Sequence, residues 1–150
     1  MERKISYAIA TVLGVGCLPW APGTFGTLAA LPIIYNLRFH PDALFVVWLV
    51  ITLVGVWASS RVAFFEERKD PSVVVIDEVS GMLASVLFIT PNGFRILMAF
   101  LLFRLFDIWK PFGIRRLERF KGGWGIMADD VAAGFLARLI LWAGMTYAHW

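Results

Sequence analysis

ALFVVWLVITLVGVWASS, residues 43–60, runs for eighteen residues without a charge. That comes close to the roughly 20 apolar residues a helix needs to cross about 30 Å of hydrocarbon. Further apolar segments flank it at 5–18, 26–37, 80–90, 94–109 and 131–147. Of these only 131–147 approaches a full span; as helices the others would cover about 15–25 Å. Pieces that short are expected as half-spans, re-entrant segments or tilted helices packed about a polar centre. Explicit breaks separate them at Pro19-Trp20-Ala21-Pro22-Gly23, His40-Pro41-Asp42 and Thr90-Pro91-Asn92-Gly93. The expected fold is all-α: a compact multi-helix integral membrane bundle with short and re-entrant helices around a polar cytoplasmic-side site, in one domain over 1–150.

Composition points the same way. The 150 residues are 59% hydrophobic and 17% charged, with a mean hydropathy of +0.74, against about 25% charged in ordinary soluble domains. So short a chain has too much surface to hide that apolar content as a soluble monomer. Its aromatics and aliphatics equally exclude disorder. The net charge is +3, yet no basic stripe interleaves with stacking aromatics, so nucleic acid is not an expected partner. Arg61, Arg68, Lys69 and the cluster from Lys110 to Lys121 lie between apolar segments, where a membrane protein keeps its cytoplasmic positives. Both basic loops are therefore expected on the cytoplasmic side, with 80–109 leaving and returning and 131–147 exiting. The path of residues 5–37 stays open. Arg3 and Lys4 before an apolar run resemble a signal peptide, but no cleavage site into a polar chain follows, so the segment is expected to be retained. Cys17, the lone cysteine, has no internal disulfide partner.

The eleven acids are few, and five of them mark the ends of apolar segments. Asp77 and Glu78 precede one, Asp107 lies near the end of another, and Asp129 and Asp130 precede the last. Such pairs can be helix N-terminal caps; ionisable groups at membrane depth are otherwise a functional signal. Arg104, Asp107 and Lys110 recur every three residues, which puts them along one helical face. Either they form an ion-pair ladder or the cations join in holding an anion. Pro111 should end that helix at Lys110. Gly-rich stretches at Gly23–Gly26 and Gly122–Gly125 are expected turns, whose N–H groups can approach a phosphate or simply make tight bends. Neither has a nucleotide-binding pattern.

Carboxylates, cations and glycine turns together suit a hard metal such as Mg²⁺ with a phosphate ligand. Other catalytic sets fail: Cys17 has Gly23 rather than Arg six residues on, His40 and His149 stand apart in a turn and at the C-terminal end, and zinc spacing is missing.

Four motifs then stand in order: GVGCLPWAPGTFGTLAALP (14–32), IDEVSGM (76–82), FRLFDIWKP (103–111) and GGWGIMADDVAAG (122–134). They resemble the phosphatidylglycerophosphatase A family across nearly the whole chain. Thr27 stands where the family usually has Ser, and Gly113 where it has Pro; neither departure removes a charge. The resemblance implies a Mg²⁺-dependent phosphatase of the bacterial inner membrane that converts phosphatidylglycerophosphate to phosphatidylglycerol, the last step of that lipid's synthesis, at the cytoplasmic face. On this reading Asp77, Glu78, Asp129 and Asp130 hold the metal. Asp107 serves as further ligand or base, Arg104 and Lys110 bind phosphoryl oxygens, and Gly23, Thr24 and Gly123 line the phosphate. Water is the expected nucleophile, with an aspartyl-phosphate at Asp107 as the rival. Outside the family, the alternatives are a lipid phosphotransferase using a CDP-alcohol, whose Asp-Gly-x-x-Ala-Arg run is missing, and a non-catalytic small membrane subunit. The oligomeric state is open.

Overall fold

A computed structural model describes residues 1–147, which are helical with no strand among them; His149 lies outside the described residues. Helix α1 (Glu2–Ala10) leads through a 3-10 turn (Val15–Cys17) to α2 (Pro22–Ala29) and α3 (Leu31–Leu37). The long α4 (Pro41–Glu66) is followed by the short α5 (Ile76–Ser85), then α6 (Gly93–Trp109), a 3-10 segment (Pro111–Arg119) and α7 (Gly123–Tyr147). Proline sets several starts: Pro22 and Pro41 open α2 and α4, where a missing N–H costs nothing and φ is already helical. At α6 the cap is a side chain, with Asn92 Oδ1 accepting from the Arg95 N–H at 2.8 Å.

Residues 5–37, whose path the sequence leaves open, hold no spanning helix. Val12 and Leu13 turn left-handed after α1, at φ 50° and 55°, and α2 and α3 are only 8 and 7 residues long. Among the described residues, α4 alone is long and apolar enough to cross a membrane. Its 26 residues reach about 39 Å. Within its most apolar window, of mean hydropathy 2.2, only 28% is buried inside the protein. Leu49, Val50, Leu53 and Trp57 thus face outward. The segment 131–147 is the later part of α7, a helix of 25 residues that begins eight residues earlier and carries Asp129, Asp130 and Arg138.

The core is organised around α5. From Val79 to Ser85 every residue of it is buried, and α2, α4, α6 and α7 pack on it. Small residues permit the close crossing with α7. A Cβ on Gly81 would sit 2.6 Å from Phe103 Cζ and 2.7 Å from the Asp130 carbonyl, and one on Gly134 would sit 3.0 Å from Ala84 Cβ. Backbones that approach this closely need glycine at the contact, as in apolar helix pairs generally. Polar links tie the rest: Thr52 and Ser80 hydroxyls meet at 2.7 Å, and Arg138 Nε donates to the Leu87 carbonyl at 2.6 Å, just past the end of α5. Arg138 is thereby a structural donor.

Candidate active site

The α5–α7 crossing decides what stands beside what. Asp77 and Glu78 occupy the first turn of α5; Asp130 lies one turn along α7 from the Gly134 contact. One carboxylate oxygen from each of Asp77, Glu78 and Asp130 lies within 4.8 Å of the other two. Asp77 and Glu78 do sit in the first turn of α5, although no side chain bonds at its N-cap, whereas Asp129 and Asp130 sit well inside α7 rather than at its start. Asp77 Oδ1, Glu78 Oε2 and Asp129 Oδ1 are buried without a hydrogen-bond partner. Buried carboxylate oxygens left that way are costly, and a divalent cation among them removes the cost. The donor set, all oxygen, suits a hard cation. These residues therefore fit a metal.

The triad opens into a cavity of about 200 Å³. Its wall carries seven carboxylates (Asp70, Asp77, Glu78, Asp107, Glu118, Asp129, Asp130) against two lysines, Lys69 and Lys110. An anionic phosphate cannot enter such a field uncompensated, which is a second reason for a cation there. The chain's net charge of +3 thus hides a strongly acidic interior.

Arg104, Asp107 and Lys110 do not share one ladder. Arg104 Nη1 donates to Asp107 Oδ2 at 2.6 Å, with side chains 19% and 14% exposed. Asp107 bears electrostatically on both Glu78 and Asp130. Lys110 leaves the helix: α6 ends at Trp109, and Lys110 turns left-handed at φ 48°. The pre-proline position does leave the right-handed helical region, but for the left-handed one rather than the extended one. Its ammonium donates to Glu118 Oε1 at 2.8 Å and to Asp129 Oδ2. Burial alone would lower the Lys110 pKa; the bonds to Asp129 and Glu118 prevail and raise it above the ordinary lysine range. The same bond pulls the Glu118 carboxyl below its usual value.

The expected metal pairs are therefore split: Asp130 joins Asp77 and Glu78, while Asp129 is held by Lys110. Replacing Lys110 by Met keeps the stem but strands two acids, one nearly buried. A loss of about 3 kcal/mol in stability is expected, discounted for the exposure of Glu118. Asp129→Asn in the same chain should recover part of it. Thermal unfolding of both variants measures this.

Of the two glycine stretches only Gly122 makes a turn, at φ 62°, while Gly23, Gly26, Gly123 and Gly125 are helical. Gly23 and Thr24 lie in the first turn of α2, where the Thr24 N–H donates to the Ala21 carbonyl at 3.0 Å. Gly23 does reach the site: a Cβ there would collide with Glu78 Oε1 and lie 3.2 Å from Arg104 Nη1. Thr27 Oγ1 donates to the Gly23 carbonyl at 2.8 Å and holds that turn in place. Gly123 is a correction, because its N–H donates to Ser60 Oγ at 2.7 Å and so is not free for phosphate. Packing against α4 is its role, and Gly122 and Gly125 line the cavity instead. Glu118, Lys69 and Asp70 also belong to the cavity and escape the sequence reading. Glu118 was visible as the one acid in the basic run 110–121, but only the fold says which cation it meets.

An apolar helical bundle with a cavity lined by carboxylates that could hold a metal ion defines the class of fold and site. The chain belongs to the phosphatidylglycerophosphatase A family, whose model matches residues 8–145. The family's reaction is dephosphorylation of phosphatidylglycerophosphate to phosphatidylglycerol, and membership makes this chain a lipid phosphate monoester hydrolase. It is 34% identical to phosphatidylglycerophosphatase A of Escherichia coli, over 91% of this chain and 81% of the relative. The Haemophilus influenzae protein of that name is 33% identical, over 94% and 92%. A protein of Bacteroides thetaiotaomicron, provisionally named a phosphatidylinositol-3-phosphatase, is 38% identical over 89% of both chains. No solved structure matches the chain.

Proposed function

We propose that the chain hydrolyses phosphatidylglycerophosphate with a Mg²⁺ ion held by Asp77, Glu78 and Asp130, at the cytoplasmic face of a bacterial inner membrane that it crosses more than once. The observation that carries the metal is the triad of buried oxygens within 4.8 Å of one another, two of whose carboxylates have an orphaned atom. Mg²⁺ bound there would offset the acids and polarise the phosphoryl group. Arg104 supplies positive charge toward the phosphoryl oxygens from beside Glu78 and Gly23. Asp107, oriented by Arg104, is the carboxylate placed to take the proton of the attacking water. Lys110 holds Asp129 and Glu118 and so shapes the wall, a positioning role in place of a direct grip on phosphate. Gly23 keeps the space beside Arg104 open.

The membrane reading rests on the outward apolar faces of α4, α6 and α7, which are larger than water tolerates on a soluble monomer. The cytoplasmic reading rests on Lys69 and Lys110: the two basic loops meet at one cavity, and basic loops stay inside.

Phosphate release by purified protein tests the function. Phosphatidylglycerophosphate is expected to be the fastest substrate, ahead of phosphatidylinositol 3-phosphate and phosphatidic acid, with EDTA abolishing and Mg²⁺ restoring release. Faster turnover of the inositol lipid would move the assignment to the activity named for the Bacteroides relative. EDTA-resistant turnover would remove the metal.

A further inference from the structure

We infer that the 3-10 segment Pro111–Arg119 and its flanks form a second lipid-recognising surface, one that binds anionic headgroups of the bilayer at the rim of the catalytic cavity. The segment hangs between Lys110 and α7 on a strained turn, with Phe112 at φ 55° and Gly113 at φ 81°. That turn throws Phe112 outward, 90% exposed, beside Trp109 at 67%. On the segment's other flank Phe120 and Trp124 are 55% and 57% exposed. Four exposed rings on this segment and its flanks would be costly in water; aromatics gather instead at the membrane–water interface.

The charge on the same segment chooses the occupant. Arg115, Arg116, Arg119 and Lys121 are all exposed, and among the described residues none of their side chains makes an ion pair or hydrogen bond. Glu118, the one acid in the run, pairs with Lys110 and acts electrostatically on Arg115, so the four cations outnumber it on the exposed face. A cluster of free basic side chains beside interfacial aromatics is complementary to an anionic lipid surface. The surface is also continuous with the cavity, because Glu118 and Phe120 line its wall. Headgroups gathered by the arginines would therefore stand next to the acidic site. The inference rests on the membrane reading above but not on the phosphatase chemistry.

The test uses full-length protein carrying Cys17→Ser and Phe112→Cys, labelled at position 112 with an environment-sensitive fluorophore and reconstituted in nanodiscs. The emission is expected to shift to the blue in discs of phosphatidylcholine with phosphatidylserine, compared with phosphatidylcholine alone. High salt should reverse the shift. Arg115→Gln, Arg116→Gln and Arg119→Gln together should abolish it, while the three Arg→Lys replacements retain it. Because both triple variants lie outside the packed core, a melting temperature in detergent unchanged from the parent protein confirms that they are folded. Identical emission in both discs, or a shift unaffected by the Gln variant, would overturn the surface. An equal shift on adding an oligonucleotide to neutral discs would overturn lipid as its occupant. The label reports without turnover, so failure of the phosphatase assignment and failure of this surface are separable.

Discussion

Asp130→Asn is expected to lower kcat/KM roughly 10²–10³-fold, the scale of losing one preorganised electrostatic partner of a transition state, and also to raise the thermal stability of the metal-free protein. The second half follows from the site's imbalance. Asp130 is 4% exposed and its charged neighbours in the cavity are mostly acids. Without a cation, its charge is desolvated and repelled at once, and a neutral amide of the same shape relieves both penalties. The wild type should in turn gain stability from Mg²⁺, because an ion that binds only the folded state shifts the unfolding equilibrium. That gain should largely vanish in the variant. Thermal unfolding in detergent with and without Mg²⁺, alongside phosphate release, measures both halves. If Mg²⁺ raises the melting temperature equally in both proteins, Asp130 is not a ligand.

Gly81→Ala should be the more damaging of two outwardly similar changes. A methyl group there would collide with the Phe103 ring and lie 2.7 Å from the Asp130 carbonyl oxygen, both parts of packed helices that cannot swing away. Overpacking of this kind costs about 1–3 kcal/mol. Here it also drives α7 off α5 and so draws Asp130 away from Asp77 and Glu78. Misplacement of that order costs roughly 10²-fold in rate. Gly93→Ala is the control: nothing lies within 4 Å of its Cβ position and its φ is ordinary. Within helix α6, alanine should be neutral or stabilising by about 0.4–1 kcal/mol. Equal melting temperatures and rates for the two variants would mean that the crossing is not what assembles the site.

Much of the site was legible in the chain because chemistry-bearing residues are rare in so apolar a sequence. Asp77, Glu78, Asp107 and Asp130 stand out against their surroundings, and all four line the cavity. Which acid does what was not legible. Asp129 and Asp130 are adjacent, yet the 100° step between neighbours on a helix aims one at Lys110 and the other at the triad. Spacing placed Lys110 on the Arg104 face, but the left-handed turn before Pro111 sent it elsewhere. Gly123 looked like part of a phosphate loop and proved to be a packing contact with α4, because the same absence of Cβ serves both uses.

By itself the sequence determined the all-helical class, the helix stops at proline and the residues available for chemistry, since these follow from composition, periodicity and local backbone limits. Only the tertiary structure decided the partners. Contacts between α5 and α7 join residues about fifty positions apart, and their register depends on where two glycines let the backbones touch. A crossing point of that kind is a property of two surfaces together, which no single stretch of chain contains.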